Sequence, residues 1–504
     1  MPERTRVVIV GGGITGLATA HRLEDAVRQG QMEVALLEAG PRLGGKLDTL
    51  YRSGFVAELG PDSLLTRKPV AMELVRAAGL EDQLVASPPK ARPTLLYMNG
   101  RLRALPAGMM AGIPSRLAPL LATPLLTPAA KIRALGDLAM PRTLSPGVDT
   151  SFGEFLSRRL GREVVTHLAE PLVAGIYGAA ADRLGLDATF PNLRGLEARY
   201  RSLIVGIMAQ ARSARQKERA SSVGRPSDRP PGPKTPPVMA LRGGFASLVG
   251  AIEEHAIAAG IDVRTCAGVV KLTGTGTDKN TEYRLSLEDG SVVRAHHVVL
   301  SIPAYAAATL VQDLDPVLAA ELRDIPYSDA ALVLLAYPEE ALKHPLEGTG
   351  FFVPRDAGLD IAACTFVSTK WPHTAPQGHV LFRVSLTLPD ADGDGSDPVR
   401  ELTDEALIRR AHEGLRETLG LTNAPEWAVP VRIPRAIPRY GVGHRDRLSR
   451  LDAALLCHGG LYLAGSAYRG MSVPDCMEDG RTAAEAILKA RHATDIPVPS
   501  STAG

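Results

Sequence analysis

Apolar positions along the chain follow two periods, and their alternation sets out the architecture. The run Val7-Val8-Ile9-Val10 is continuous, as in a strand buried on both faces. It passes through Gly11-Gly12-Gly13-Ile14-Thr15-Gly16 into the helical pattern Leu17 to Leu23, and a second apolar run, Val34 to Leu37, ends in Glu38. The N-terminus therefore predicts strand, glycine-rich turn, helix and strand. Phe55 to Leu59 predicts a further strand running into the turn Gly60-Pro61-Asp62-Ser63, and Pro69 to Ala78 a helix stopped by Gly79. Thr94 to Met98 and Arg101 to Arg103 flank Asn99-Gly100, which supplies the positive φ angles of a type I′ hairpin.

From Pro106 to Gln210 the pattern is mainly helical. Ser151-Phe152-Gly153-Glu154 can open one helix as a capping box, and Val164 to Ile176 is strongly apolar. Strands are expected at Val263, Val269 to Leu272, Tyr283 to Leu287, Val292-Val293 and His297 to Ser301, with Glu288-Asp289-Gly290-Ser291 turning one hairpin. Strands and helices alternate from Ala330 to Leu419, where Thr403 caps a helix with Asp404 and Glu405 in its first turn. The last unit is a strand at Leu461 to Ala464, the turn Gly465-Ser466, and a helix to Arg491.

Composition narrows the class. At 504 residues the chain has room for two or three domains, and a net charge of +2 gives no reason to expect a nucleic-acid partner. The four cysteines, Cys266, Cys364, Cys457 and Cys476, form no C-x-x-C pair, so neither a disulfide framework nor a metal site is expected and the cytoplasm is the natural compartment. Arg4 and Arg6 precede an apolar run ending in Ala18-Thr19-Ala20, but three glycines make a poor signal-peptide core. Prolines at 119, 124 and 128 interrupt the apolar stretch Leu117 to Ala130, so no transmembrane segment is expected. The crowding of Met109, Met110, Ile113, Leu117, Leu120, Leu121, Leu125 and Leu126 leaves peripheral contact with the inner face of the cell membrane open beside a buried helical region.

Residues 212–235 are rich in Pro, Ser, Arg and Lys, which predicts a flexible insertion; residues 492–504 predict a disordered tail. Asp390, Asp392, Asp394, Gly395 and Glu401 fit the calcium-loop pattern of an EF-hand. The segment before them alternates like a strand and Pro389 blocks an entering helix, so a solvated strand-to-helix loop is the expectation.

The candidate chemistry begins at the first turn. Gly11, Gly13 and Gly16 make a G-x-G-x-x-G between strand and helix, and Glu38 follows about 20 residues on, the layout of a dinucleotide site. The helix N-terminus favours the pyrophosphate, and the acid favours the ribose.

The spacing of Glu38, Arg42, Gly44-Gly45 and Lys46 resembles the extension found in FAD-binding relatives of amine oxidases and porphyrinogen oxidases. Further blocks are similar to the oxygen-dependent porphyrinogen oxidases of haem synthesis: Glu58-Leu59-Gly60-Pro61-Asp62-Ser63, Glu170-Pro171 through Gly175-Ile176-Tyr177-Gly178, Met239 to Gly244, and Gly465 to Cys476. Gly348 to Phe352, Ala363 to Phe366 and Lys370-Trp371-Pro372-His373-Thr374 look like the Gram-positive form, which oxidises coproporphyrinogen III.

The resemblance implies an α/β fold: a Rossmann-like FAD-binding domain (1–85, 236–302, 436–491), a mixed-sheet substrate domain (86–105, 303–435) and a helical subdomain (106–211). It implies that Gly11, Gly12, Gly13, Ile14, Thr15 and Gly16 hold the pyrophosphate, Glu38 the adenosine ribose, Lys46 with Gly60, Pro61, Asp62 and Ser63 the flavin side, and the Val269 backbone the adenine. Met471, Ser472 and Val473 would lie beside the isoalloxazine, with Ala39, Arg42, Gly45 and Gly465 as further cofactor contacts. Ser472-x-x-Asp475 with Pro474 between is itself a helix start, and a helix N-terminus stabilises an anionic reduced flavin.

For the substrate, Arg92 matches the family's propionate-binding arginine, and Gly175, Gly178, Phe351 and Phe352 are candidates to line an apolar slot. The flavin carries the chemistry, so no side chain is assigned as acid or base. The implied reaction is a six-electron oxidation of coproporphyrinogen III by O2 with release of H2O2. Protoporphyrinogen IX remains open as substrate, as do a flavin amine oxidase or carotenoid desaturase and a non-catalytic flavin or porphyrin carrier. Only 4% aromatic residues disfavours an amine-oxidase cage. A transient contact with the next enzyme of the haem pathway is part of the same expectation.

Overall fold

The apolar run at the N-terminus becomes the middle of a sheet. Strand Thr5–Val10 pairs in parallel with Met32–Leu37 on one side and His297–Leu300 on the other, and Asp262–Arg264 and Leu461–Leu463 extend the sheet to five strands. All the pairings are parallel, which explains why these strands are apolar runs and not alternations. Helix Ile14–Arg28 buries Leu17, Ala20 and Leu23 against the sheet, and the last helix, Val473–Thr494, packs beside it through Met477, Ala484 and Ile487.

In this computed structural model, which describes residues 4–88, 93–106, 109–110, 113–114, 117–145, 147–223, 236–275, 282–387 and 401–494, the chain divides into two compact units. The first comprises Met1–Ser87, Pro236–Ile325 and Asp446–Gly504. Besides the parallel sheet it holds an antiparallel sheet of Val269–Thr275, Glu282–Leu287 and Val292–Ala295. Helices Ala304–Val311 and Pro316–Arg323 also group here and not with the substrate domain expected from sequence. The reason is packing: Ala304, Ala307, Ala308 and Val311 are buried, and the first of these helices lies against strand Val269–Thr275.

The second unit comprises Pro88–Thr235 and Pro326–Arg445. Its seven-stranded sheet runs in the order Trp427–Pro438, Tyr327–Pro338, His379–Leu386, Ile361–Phe366, Gly350–Phe352, Leu95–Met98, Arg101–Ala104. The pairing is antiparallel except between Gly350–Phe352 and Leu95–Met98, so the sheet is mixed, as expected. On one face Val333, Leu335, Phe382 and Val384 pack with Leu407, Ala411 and Leu415 of helix Asp404–Leu419. The hairpin at its edge turns on Asn99 (φ 53°) and Gly100 (φ 73°), the type I′ geometry. Residues 436–445, expected with the cofactor domain, belong to this second unit. Gly185 N donates to Tyr440 O at 2.7 Å and Gly443 N to Asp149 Oδ2 at 2.9 Å.

The helical layer of this unit packs Phe152, Phe155, Leu156, Leu168, Val173 and Leu196 around one core, and Ser151 caps its helix by accepting from Glu154 N at 3.1 Å. Ile113, Leu120, Leu125 and Leu126 of the greasy run are core residues of that layer. No described helix is long and apolar enough to cross a membrane.

The insertion expected from 212 needs correction, because helix Leu203–Val223 continues through its first twelve residues. Ala, Arg, Gln, Lys and Glu favour helix there, and the first breakers, Gly224 and Pro226, come only afterwards. The rest of the insertion, the calcium-like loop up to residue 400 and the tail from 495 lie outside the described residues.

Candidate functional site

The first turn is shaped by contacts that leave no room for side chains. A Cβ on Gly16 would overlap the Gly11 carbonyl oxygen, so only glycine lets the helix approach the strand this closely. A Cβ on Gly13, in contrast, would meet nothing within 4 Å, so this edge of the turn faces open space. No side chain caps helix Ile14–Arg28 at Gly13, so the N–H groups of its first turn, which have no intrahelical acceptor, remain for an incoming anion.

Glu38 stands at the end of the second strand as expected. Its carboxylate accepts from Gly12 N at 2.7 Å and Gly40 N at 2.8 Å, which fixes its direction and leaves lone pairs for a diol. Two amides missed by sequence reasoning brace it: Ala267 N donates to Glu38 O at 2.8 Å and Cys266 N to Gly40 O at 2.9 Å. Only the pairing of Asp262–Arg264 with the second strand brings them there, which no local pattern announces. Val269 follows at the start of its strand, and Ala39 is exposed beside the acid.

Arg42 is tied into its own loop. Its guanidinium donates to the carbonyls of Leu43, Gly45 and Leu47 and pairs with Asp48 at 3.0 Å. It thereby shapes the turn that presents Lys46. Lys46 is exposed at its surface, and partial desolvation by the surrounding loops lowers its pKa, with Cys476 acting in the opposite direction. The turn Gly60 to Ser63 lies against the same loop, since a Cβ on Gly60 would overlap the Lys46 carbonyl oxygen. Ser63 Oγ donates to Asp62 Oδ1 at 2.9 Å and Pro61 is exposed.

The C-terminal block returns to the first helix. Ser472 caps helix Val473–Thr494: Asp475 N donates to Ser472 Oγ at 3.3 Å, and Asp475 Oδ2 accepts from Ser472 N at 3.0 Å and from Ser472 Oγ at 2.5 Å. The other Asp475 oxygen pairs with Lys68. Sequence reasoning missed Asp479, whose carboxylate accepts from Gly465 N at 2.8 Å; burial raises its pKa against the opposing pull of that N–H and of Arg469. An acid one turn inside an apolar helix face was the available signal. Met471 lies half-buried before the cap and Val473 is buried.

In the second unit the four candidate lining residues separate. Phe351 and Phe352 lie on opposite faces of their strand, and Phe351 goes into the core behind the sheet, 5.9 Å from the Phe366 ring. Phe352 packs on Gly175, where a Cβ would stand 2.5 Å from its Cε1. Gly178 ends helix Glu170–Tyr177 in the left-handed conformation (φ 61°), near Ile437 and Ser328. Arg92 lies outside the described residues. A cavity of about 690 Å³ opens between Pro93, Lys343, His344, Glu347, Gly348 and Thr369; none of the four lining candidates borders it.

The donor set of the first unit fits a dinucleotide: open amides at a helix start, an oriented acid, a lysine beside them and a second helix start. Comparison with known proteins agrees. The family model described as flavin containing amine oxidoreductase matches residues 14–488. A coproporphyrinogen III oxidase of Bacillus subtilis (strain 168) is 34% identical over 484 residues, covering 95% of this chain and 97% of its own. Chloroplastic protoporphyrinogen oxidase 1 of Spinacia oleracea is 32% identical over 496 residues, covering 95% and 84%. A crystal structure from Exiguobacterium sp. 255-15, provisionally named protoporphyrinogen oxidase, superposes with a TM-score of 0.79 at 32% identity over 97% of this chain and 99% of that one. The Rossmann-like unit is thus the FAD-binding part of an oxidase, and the chain belongs to the flavin-containing amine oxidoreductase family, within its porphyrinogen oxidases.

Proposed function

We propose that this chain oxidises coproporphyrinogen III to coproporphyrin III. The single observation that carries the substrate assignment is the full-length likeness to a coproporphyrinogen III oxidase. Six electrons and six protons leave the macrocycle in three rounds, and three O2 become three H2O2. Bound FAD supplies the hydride-accepting centre.

The chain's own residues hold and orient. The open amides at Gly13 to Thr15 take the pyrophosphate and Glu38 the ribose diol, while Lys46 places a cation on the flavin side. The start of helix Val473–Thr494, capped by Ser472, would lie on the flavin side, where its positive end would favour negative charge on the ring. In the second unit Phe352 and Gly175 form an apolar wall, and Arg92 grips a propionate.

The reaction takes place in the cytoplasm under this reading. Leu121 and Ile132, 47% and 72% exposed, are two of the exposed apolar side chains of the helical layer, beside Leu138, Val148, Ile176 and Val205, that a membrane surface could meet, which vesicle co-sedimentation tests.

The deciding experiment supplies coproporphyrinogen III and protoporphyrinogen IX in air and follows porphyrin fluorescence and H2O2. Faster oxidation of coproporphyrinogen is expected. Preference for protoporphyrinogen overturns the substrate assignment, and no gain above autoxidation with either overturns the oxidase reading in favour of a carrier.

A further inference from the structure

Strand His379–Leu386 is the third of the seven-stranded sheet, flanked by Tyr327–Pro338 and Ile361–Phe366. Its alternation sends Phe382 and Val384 into the core against helix Asp404–Leu419, so Arg383 stands on the opposite face. Its cross-strand partners there are Leu334 and Thr365, neither of which is an acid. Among the described residues the Arg383 guanidinium makes no hydrogen bond or ion pair, and its Nε is buried without an acceptor.

Mid-sheet guanidinium groups are normally paired, because burying an unpaired charge is strongly unfavourable. The rest of the sheet offers no acid to do it. Its seven strands hold five arginines (Arg101, Arg103, Arg383, Arg432, Arg435) and one acid, Asp329. Asp329 already accepts from Arg435 N at 2.6 Å, and Arg432 is paired with Asp404 from outside the sheet. Charge is therefore left over at Arg383 in the middle of the sheet, as it is on the edge strand at Arg103, whose Nε is likewise buried without an acceptor.

The face it stands on is the one bearing Phe352. The ladder runs from Phe352 to Ala363 to Ser385, and one pair further along from Gly350 to Thr365 to Arg383. Two strand spacings, about 10 Å, separate Phe352 from the strand of Arg383. An apolar wall and a free planar fork on one face suit a flat apolar ligand edged with carboxylates.

We propose that Arg383 is a substrate-binding residue that holds a propionate carboxylate of the porphyrinogen. The assignment rests on the substrate class argued above, and its test separates the two.

The test compares wild type with Arg383→Met, titrating coproporphyrin III and its tetramethyl ester into the FAD-loaded protein and measuring KM and kcat for coproporphyrinogen III. Arg383→Met should weaken the free acid about tenfold or more, the loss of a charge-assisted bond. The ester should bind both proteins alike, KM should rise more than kcat falls, and FAD content and Tm should hold. If the methionine variant does not fold, Arg383→Gln is read by the same contrast. Unchanged affinity for the acid, or equal weakening of acid and ester, overturns the role of Arg383 while leaving the reaction standing. A wild-type protein that neither binds coproporphyrin nor oxidises its porphyrinogen overturns both.

Discussion

Thr19 of the first helix donates its hydroxyl to the carbonyl oxygen of Gly480 in the last helix at 3.1 Å, although the two residues are 461 positions apart. The same hydroxyl lies 2.9 Å from Thr15 O, and a Cβ on Gly480 would overlap that oxygen. The helix starts at Gly13 and at Ser472, one at each end of the chain, are held together by this contact. Replacing glycine by alanine inside an exposed helix normally stabilises by about 1 kcal/mol. Gly480→Ala should instead destabilise by about 1–3 kcal/mol, as overpacking does. Thermal melts of the apoprotein check the sign, and FAD retention after gel filtration should fall with it.

Arg159 is fully buried in the helical layer and is the hub of a closed network. It donates to Asp137 Oδ1 at 2.6 Å, Pro141 O at 2.7 Å and Arg201 O at 2.6 Å, and lies 3.4 Å from Glu197. Asp137 also accepts from Ser202 Oγ and Ile204 N, and Glu197 from Thr143 and Leu144. Arg159→Met leaves two buried carboxylates without their cation and should cost about 3–5 kcal/mol. Urea unfolding followed by far-UV circular dichroism measures it. Arg159→Lys should recover little, since an ammonium cannot reach acceptors on several sides of a planar fork.

Legibility in the sequence followed range. The parallel strands, the I′ hairpin and the caps at Ser151, Thr403 and Ser472 each rest on neighbours in sequence, and each stands where the pattern put it. Asp479 reaches Gly465, and the amides of Cys266 and Ala267 reach Gly40 and Glu38, only through tertiary pairing, so no short pattern exposed them. Phe351 and Phe352 are adjacent, and which of them faces the core depends on strand register, a property of the whole sheet. Arg383 escaped for a related reason: an arginine within an alternating strand reads as a solvated face until the sheet around it is seen to hold a single acid.

Glu38 accepts two hydrogen bonds with one carboxylate, from Gly12 N and Gly40 N, and the ribose role proposed for it has a direct test. Glu38→Gln keeps the shape but turns an amide NH2 toward Gly12 N or Gly40 N, so one acceptor is lost along with the charge. The Kd of the apoprotein for FAD, read by quenching of flavin fluorescence, should rise about tenfold to a hundredfold, as for loss of a charge-assisted hydrogen bond. An unchanged Kd would show that Glu38 serves the loop and not the ribose.

His297 gives the first unit a pH dependence of its own. It lies on the strand beside Thr5–Val10, with the Tyr462 ring 6.0 Å away, and its Nδ1 is buried without a hydrogen-bond partner. Burial, helped by the neighbouring His296, lowers its pKa from 6.5 to about 4. Above pH 6.5 both folded and unfolded chains hold it neutral, and it contributes no pH dependence. As pH falls from 6.5 to about 4 the unfolded chain takes up a proton that the folded chain refuses, so stability drops across this window and levels off below it. The full loss is up to about 3 kcal/mol. Urea midpoints between pH 7 and pH 4 should show the slope, and His297→Phe, which keeps a ring beside Tyr462, should flatten it. A variant with the wild-type slope would assign the dependence to other groups.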